Sequence, residues 1–133
     1  MSLPSPECLA LVLCEQVIED KRTNNKTLVG LFNQITAANL PLIYPKMTIV
    51  VSLCNGHGKV PVEVRINSLA NEELIFKVIG EVAFKDPLDV CDLIFELRQV
   101  PFKHEGTYAI TVLANEKQLL ERRFIVQVGK GEK

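Results

Sequence analysis

Apolar and polar positions alternate along most of this chain. In Lys59 to Asn67, the residues Val60, Val62, Val64 and Ile66 are separated by Pro61, Glu63 and Arg65, which is the period of a strand with one wet face. Pro61 has no N–H to donate, so it places this strand at a sheet edge or falls within its first residues. In the next run Leu74, Phe76, Val78, Val82 and Phe84 share one parity, and Gly80 interrupts it. A glycine there points to a bulge or a close backbone approach. The same reading turns Cys91, Leu93, Phe95 and Leu97 inward, then Tyr108, Ile110 and Val112, and last Phe124, Val126 and Val128. Earlier, Met47, Ile49, Val51 and Leu53 alternate, whereas Cys8 to Cys14 is apolar on both faces, as a central strand is.

Turn chemistry separates these runs: DKRTNNK, CNGHGK, LANEE, KDPLD and KHEG. Asn55-Gly56, flanked by apolar alternation, predicts a hairpin, because both central residues tolerate positive φ. Two segments also fit helices, ECLALVLCEQVIED and NEKQLLERRF. A lone helix would break the spacing of the runs, so both are read as strands. About eight short strands at this spacing imply an all-β, two-layer antiparallel sandwich. Gly106 and Tyr108 open a late strand where immunoglobulin-like sandwiches place a tyrosine that bonds back to the backbone. Ile110 stands where antibody domains carry a cysteine. The other reading of Tyr108 is a tyrosine that is simply half-buried.

At 133 residues the chain is expected to be one domain, with loose tails over 1–7 and 129–133. A formal net charge of −1 leaves no basic field for sequence-independent nucleic-acid binding. No apolar run approaches the length of a membrane span, and the N-terminus lacks the basic start of a secretory signal, which points to the cytoplasm. In that compartment the four cysteines are expected to be thiols, with a Cys54–Cys91 bridge left open.

Cys54 and His57 make half of a metal site, but zinc needs about four ligands, or three plus water. No second half follows at matching spacing, and Cys91 and His104 would have to arrive from separate loops. NGHGK offers glycines and a lysine to a phosphate without a following helix to converge its amides. No serine sits in a G-x-S-x-G elbow, and the acidic residues fall in turns or on wet faces. No cofactor is expected. The reading is a non-catalytic binding or interaction module. The alternatives are a small metal-binding protein or enzyme centred on Cys54 and His57, and a carrier with a pocket between sheets.

One further feature concerns family. Leu13-Cys14-Glu15, a polar loop and then Val29-Gly30-Leu31-Phe32-Asn33 resemble the opening of a family of small bacterial proteins carrying a domain of unknown function. The later run LIFELRQVPFKHEGTYAITVLANEKQL is similar to its closing half, although Glu15 stands where aspartate is expected. The resemblance implies no chemistry. Read from the residues, Gly30 fits a backbone kink, Phe32 anchors a core and Asn33 satisfies a turn.

The surface expectation is specific. If Leu74, Phe76, Val78 and Phe95 face the core, then Ile75, Ile79 and Ile94 face outward, flanked by Lys77, Glu81, Asp92 and Glu96. In one sheet these isoleucines would form an apolar patch rimmed by charge, suited to self-association or a protein partner.

Overall fold

A computed structural model describes residues 5–129. Of the two expected tails, 1–4 and 130–133 lie outside those residues. Glu7 already belongs to the first strand, and the Gly129 N–H donates to the Ala37 carbonyl at 2.8 Å.

Nine strands and no helix make up the described chain: β1 (Glu7–Glu19), β2 (Lys26–Leu31), β3 (Gln34–Ala37), β4 (Leu42–Cys54), β5 (Gly58–Ser68), β6 (Leu74–Phe84), β7 (Cys91–Phe102), β8 (Gly106–Ala114) and β9 (Lys117–Val128). They form two sheets, ordered β2-β1-β4-β7 and β3-β9-β8-β5-β6. The chain is therefore an all-β sandwich. Both segments that also fitted helices are strands, β1 and β9, because each has neighbours to receive its apolar face.

The ninth strand comes from one run that the alternation left whole. Gly30 takes φ +72°, and at Phe32-Asn33 the chain leaves the first sheet for the second, dividing that run into β2 and β3. Two bonds fix this corner: Phe32 N–H to the Leu13 carbonyl at 3.1 Å, and Ile125 N–H to the Asn33 carbonyl at 3.0 Å. β3 then lies parallel to β9, so the sandwich is not wholly antiparallel.

The core sits between the sheets. Leu13, Ile49 and Phe95 lie opposite one another across three strands of the first sheet, and Ile66 faces Ile110 in the second. Burying each such side chain contributes about 1.5–3 kcal/mol. At one end Phe102, Tyr108 and Phe124 close the core, with ring centroids 5.1–5.8 Å apart. The Tyr108 hydroxyl donates to the His104 carbonyl at 2.6 Å, the return bond to upstream backbone that its place after Gly106 suggested. Pro61 precedes the β5–β8 ladder, which begins at Val62, so its missing N–H costs no bond there.

Two parity assignments differ from the sequence reading. In β6 the register against β5 slips between Ile66–Phe76 and Asn67–Leu74. This extra residue turns Ile75 toward the core and leaves Leu74 47% exposed. Val128, at the end of its sheet, is exposed rather than inward. Gly80 marks a close approach and no bulge, since a β-carbon there would stand 3.0 Å from the Phe95 ring.

Candidate functional site

The turn Asn55-Gly56-His57 is not a hairpin. It carries the chain from β4 in one sheet to β5 in the other. Positive φ falls on Asn55 and Gly58, whereas Gly56 is glycine because a β-carbon would enter the Phe84 ring. Asn55 ties the turn down, its N–H bonded to the Pro87 carbonyl at 2.8 Å and its amide to Glu7 Oε2 at 2.8 Å.

The groups a metal would need do not converge. Leu53 pairs with Cys91, which places Cys54 and Cys91 at the same end of adjacent strands. Neighbouring residues of a strand point to opposite faces, so their sulfurs project away from each other. All four cysteines are free thiols. His104 follows β7, at the far end of a strand that begins with Cys91. Among the described residues no group of three or more His, Cys, Asp or Glu side chains gathers as a metal site.

Among the described residues, two cavities stand out. One, of about 210 Å³, lies at the end of the sandwich between the sheets, among Ser68, Glu73, Ile75, Pro101, His104 and Tyr108. Drug-sized ligands occupy clefts of roughly 300–1,000 Å³, so it is small for a carried ligand. The other, about 420 Å³, is a groove on the outer face of the second sheet beside Pro61, Glu63, Ile79 and Leu113.

The expected isoleucine patch is dispersed. β6 and β7 belong to different sheets, so Ile79 and Ile94 lie on opposite outer faces. The slip in β6 has already withdrawn Ile75. Parity alone could not assign strands to sheets, and that assignment decided the outcome.

A different apolar surface takes its place, on the outer face of the β2-β1-β4-β7 sheet. Val12, Val50 and Ile94 are direct partners across three strands, and Leu31, Cys14 and Thr48 form the adjacent row. Val29 beside Gln16 and Ile18 beside Thr27 continue the strip along the β1–β2 hairpin. Leu31 is 63% exposed, Ile18 50% and Ile94 40%, while Val50 and Cys14 are shielded between their neighbours. Charges bound the strip. Asp92 accepts from Ser52 at one end, and Glu96 is bracketed by Lys46 (3.3 Å) and Arg98 (2.6 Å) along the side. The signal for this surface was present in the sequence, in the two apolar faces of Cys8 to Cys14. A central strand in a sandwich needs only one apolar face; a second is surplus unless something covers it.

Cys14, Val29 and Leu31 of the family signature lie in this strip, and the rest of the signature gathers on the other side of the same hairpin. Glu15 and Gly30 lie between the pairs Cys14–Leu31 and Gln16–Val29, the Thr48 hydroxyl donates to the Glu15 carbonyl at 3.2 Å, and Phe32 meets Tyr44 at 6.1 Å between centroids. Arg122 of β9 reaches across the sandwich and donates to the Leu11 carbonyl at 3.1 Å and to Asn33 Oδ1 at 2.6 Å. The Arg122 bonds tie the two sheets together.

Comparison with known proteins agrees with the architecture. The fold resembles part of the alkylpurine DNA glycosylase AlkC of Pseudomonas fluorescens (TM-score 0.50, 10% identity, 88% of this chain and 30% of that one). It also resembles part of a beta-glucosidase from Listeria innocua (TM-score 0.51, 11% identity, 92% and 16%). The C-terminal domain of wzt is similar over 96% of this chain and 75% of its own, with TM-score 0.53 and 12% identity. This chain thus spans less than a third of the two enzymes, and at such identities the likeness is one of fold alone. No curated protein matches the sequence. A family model does match, over residues 9–127, a span that includes both signature runs. The chain belongs to the DUF6941 family, a family of unknown function.

Proposed function

We propose that this domain is a non-catalytic interaction module, and that it binds a protein partner through the outer face of the β2-β1-β4-β7 sheet. The observation that carries the reading is the continuous apolar strip from Ile18 through Leu31 and Val12 to Ile94. Scattered exposed apolar residues are ordinary, but a contiguous apolar patch rimmed by charge is the usual look of an interface. The occupant is a folded protein surface of matching apolar character. Main-chain groups of β1 and β4, the interior strands under the strip, are already paired in the sheet, which leaves side chains to make the contact there. The setting we infer is the bacterial cytoplasm, in keeping with four unpaired thiols. The return bond of Tyr108 supports a sandwich of immunoglobulin-like character. Metal, nucleic acid and membrane play no part in the proposal.

The test is Leu31→Glu with Ile94→Glu, compared with the native protein in affinity capture. Any captured protein is then purified and titrated back onto both forms. A partner that binds the native form and loses at least ~100-fold with the double variant, while circular dichroism is unchanged, supports the reading. A partner that binds both alike overturns it.

A further inference from the structure

The second sheet ends in a strand whose sequence is complementary to itself. β6 lies at the edge of β3-β9-β8-β5-β6, and alternate residues of an edge strand direct N–H and C=O groups away from the sheet. Two of the other edges are short, and the third is interrupted towards its end. β2 and β3 have 6 and 4 residues, and β7 carries Gln99 at φ 58° and Pro101, which has no N–H to offer. β6 runs for 11 residues, without proline or positive φ. After the slip at Ile75, Phe76 to Val82 is a regular stretch.

Antiparallel pairing of this stretch with a second copy, about a two-fold axis through Ile79, places Lys77 opposite Glu81 of the copy, and Glu81 opposite its Lys77. Ile79 meets Ile79 on the axis, on the outer face. Phe76 lies opposite Val82 on the inner face, so each core continues into the next. No neighbouring register does this. Centring on Gly80 sets Ile79 against Glu81, and centring on Val78 sets Lys77 against Ile79. Axes between residues would put inward side chains opposite outward ones.

Both charges are unpaired within one chain: among the described residues neither Lys77 nor Glu81 makes an ion pair. Lys77 in fact lies opposite Arg65, whose guanidinium is held by Glu63, and Glu81 lies opposite Pro61. An edge lysine ordinarily repels an incoming strand; here one register alone supplies its counter-ion twice. Ile79, 62% exposed, stands beside the 420 Å³ groove and is covered by the pairing.

We infer that the protein forms a symmetric dimer by β6-to-β6 pairing, giving one continuous ten-stranded sheet, with the Lys77–Glu81 pairs fixing its register. This interface lies on a different sheet from the apolar strip and stands independently of it.

The experiment is sedimentation velocity on four forms: native, Lys77→Glu, Glu81→Lys and the double exchange. The native protein is expected to be a dimer. Each single reversal sets like charges opposite one another twice and should weaken dimerisation about tenfold or more; the double exchange should restore it. A second measurement does not depend on those variants folding. Ile79→Cys should form a disulfide-linked dimer under mild oxidation, since directly opposed residues lie about 4.5–5.5 Å apart, within disulfide reach. Leu31→Glu should leave the dimer intact, which separates this interface from the partner face. A native monomer at every concentration tested, a dimer indifferent to the single reversals, or failure of the Ile79→Cys variant to cross-link would each overturn the inference.

Discussion

The side chain of Glu15 occupies the space that a β-carbon on Gly30 would need. The two residues lie between the cross-strand pairs Cys14–Leu31 and Gln16–Val29 of the β1–β2 hairpin, and an ideal β-carbon on Gly30 would stand 2.6 Å from Glu15 Cδ. Gly30 also holds φ +72°, where side chains other than glycine's are strained. The dihedral is what requires glycine, since Glu15 is exposed and the end of its side chain can swing aside. Gly30→Ala should destabilise the fold by about 1–3 kcal/mol in urea denaturation. Adding Glu15→Ala removes the clash and leaves the dihedral cost, so the pair should recover only part of the loss. Full recovery would show that φ contributes nothing.

The Arg122–Asn33 bond predicts non-additive losses. Arg122 links β9 to Leu11 of β1, and Asn33 holds the guanidinium from the corner between β2 and β3. Arg122 Nε is buried without a partner, so the side chain depends on its other two nitrogens. Arg122→Ala should cost about 2 kcal/mol, and Asn33→Ala about 1–2 kcal/mol. In the double variant the second change should cost little, because its partner has already gone. Additive losses in chemical denaturation would mean that the two residues act separately.

Alkaline pH should weaken the fold. Burial pushes the thiols of Cys8, Cys14 and Cys91 above their ordinary 9.0, and burial likewise raises the Tyr44 and Tyr108 phenols above 10.0. These groups are neutral when protonated. Above about pH 9 the unfolded chain therefore releases protons that the folded chain retains, and the equilibrium moves toward unfolding. Their effect on stability is absent below the ordinary thiol value and grows as pH rises through it. The urea midpoint should hold steady up to about pH 8.5 and fall by about pH 10. Cys14→Ala should flatten part of that decline, and a midpoint that rises over this range would contradict it.

Alternation was enough to establish the strands, since a strand buried on one face must repeat its apolar residues every second position whatever it pairs with. β4, β5, β7 and β8 were legible in this way, and β1 was legible as a strand whose second apolar face asks for a cover. Gly30 was also legible, because glycine suits a kink in the chain; Tyr108 allowed two readings, and its bond to the His104 carbonyl decided between them.

Pairing is a different matter, because the period of a strand carries no record of its neighbours. CNGHGK has the composition of a hairpin, yet it crosses between sheets, and the buried Phe84 ring rather than φ explains Gly56. Ile75, Ile79 and Ile94 share an outward parity on paper; one slipped residue turns the first inward, and a sheet boundary separates the other two. Which residues seek burial is written in the order of the side chains, through the chemistry of each one. Which of them stay uncovered together emerges only on folding, because coverage depends on contacts between strands far apart along the chain.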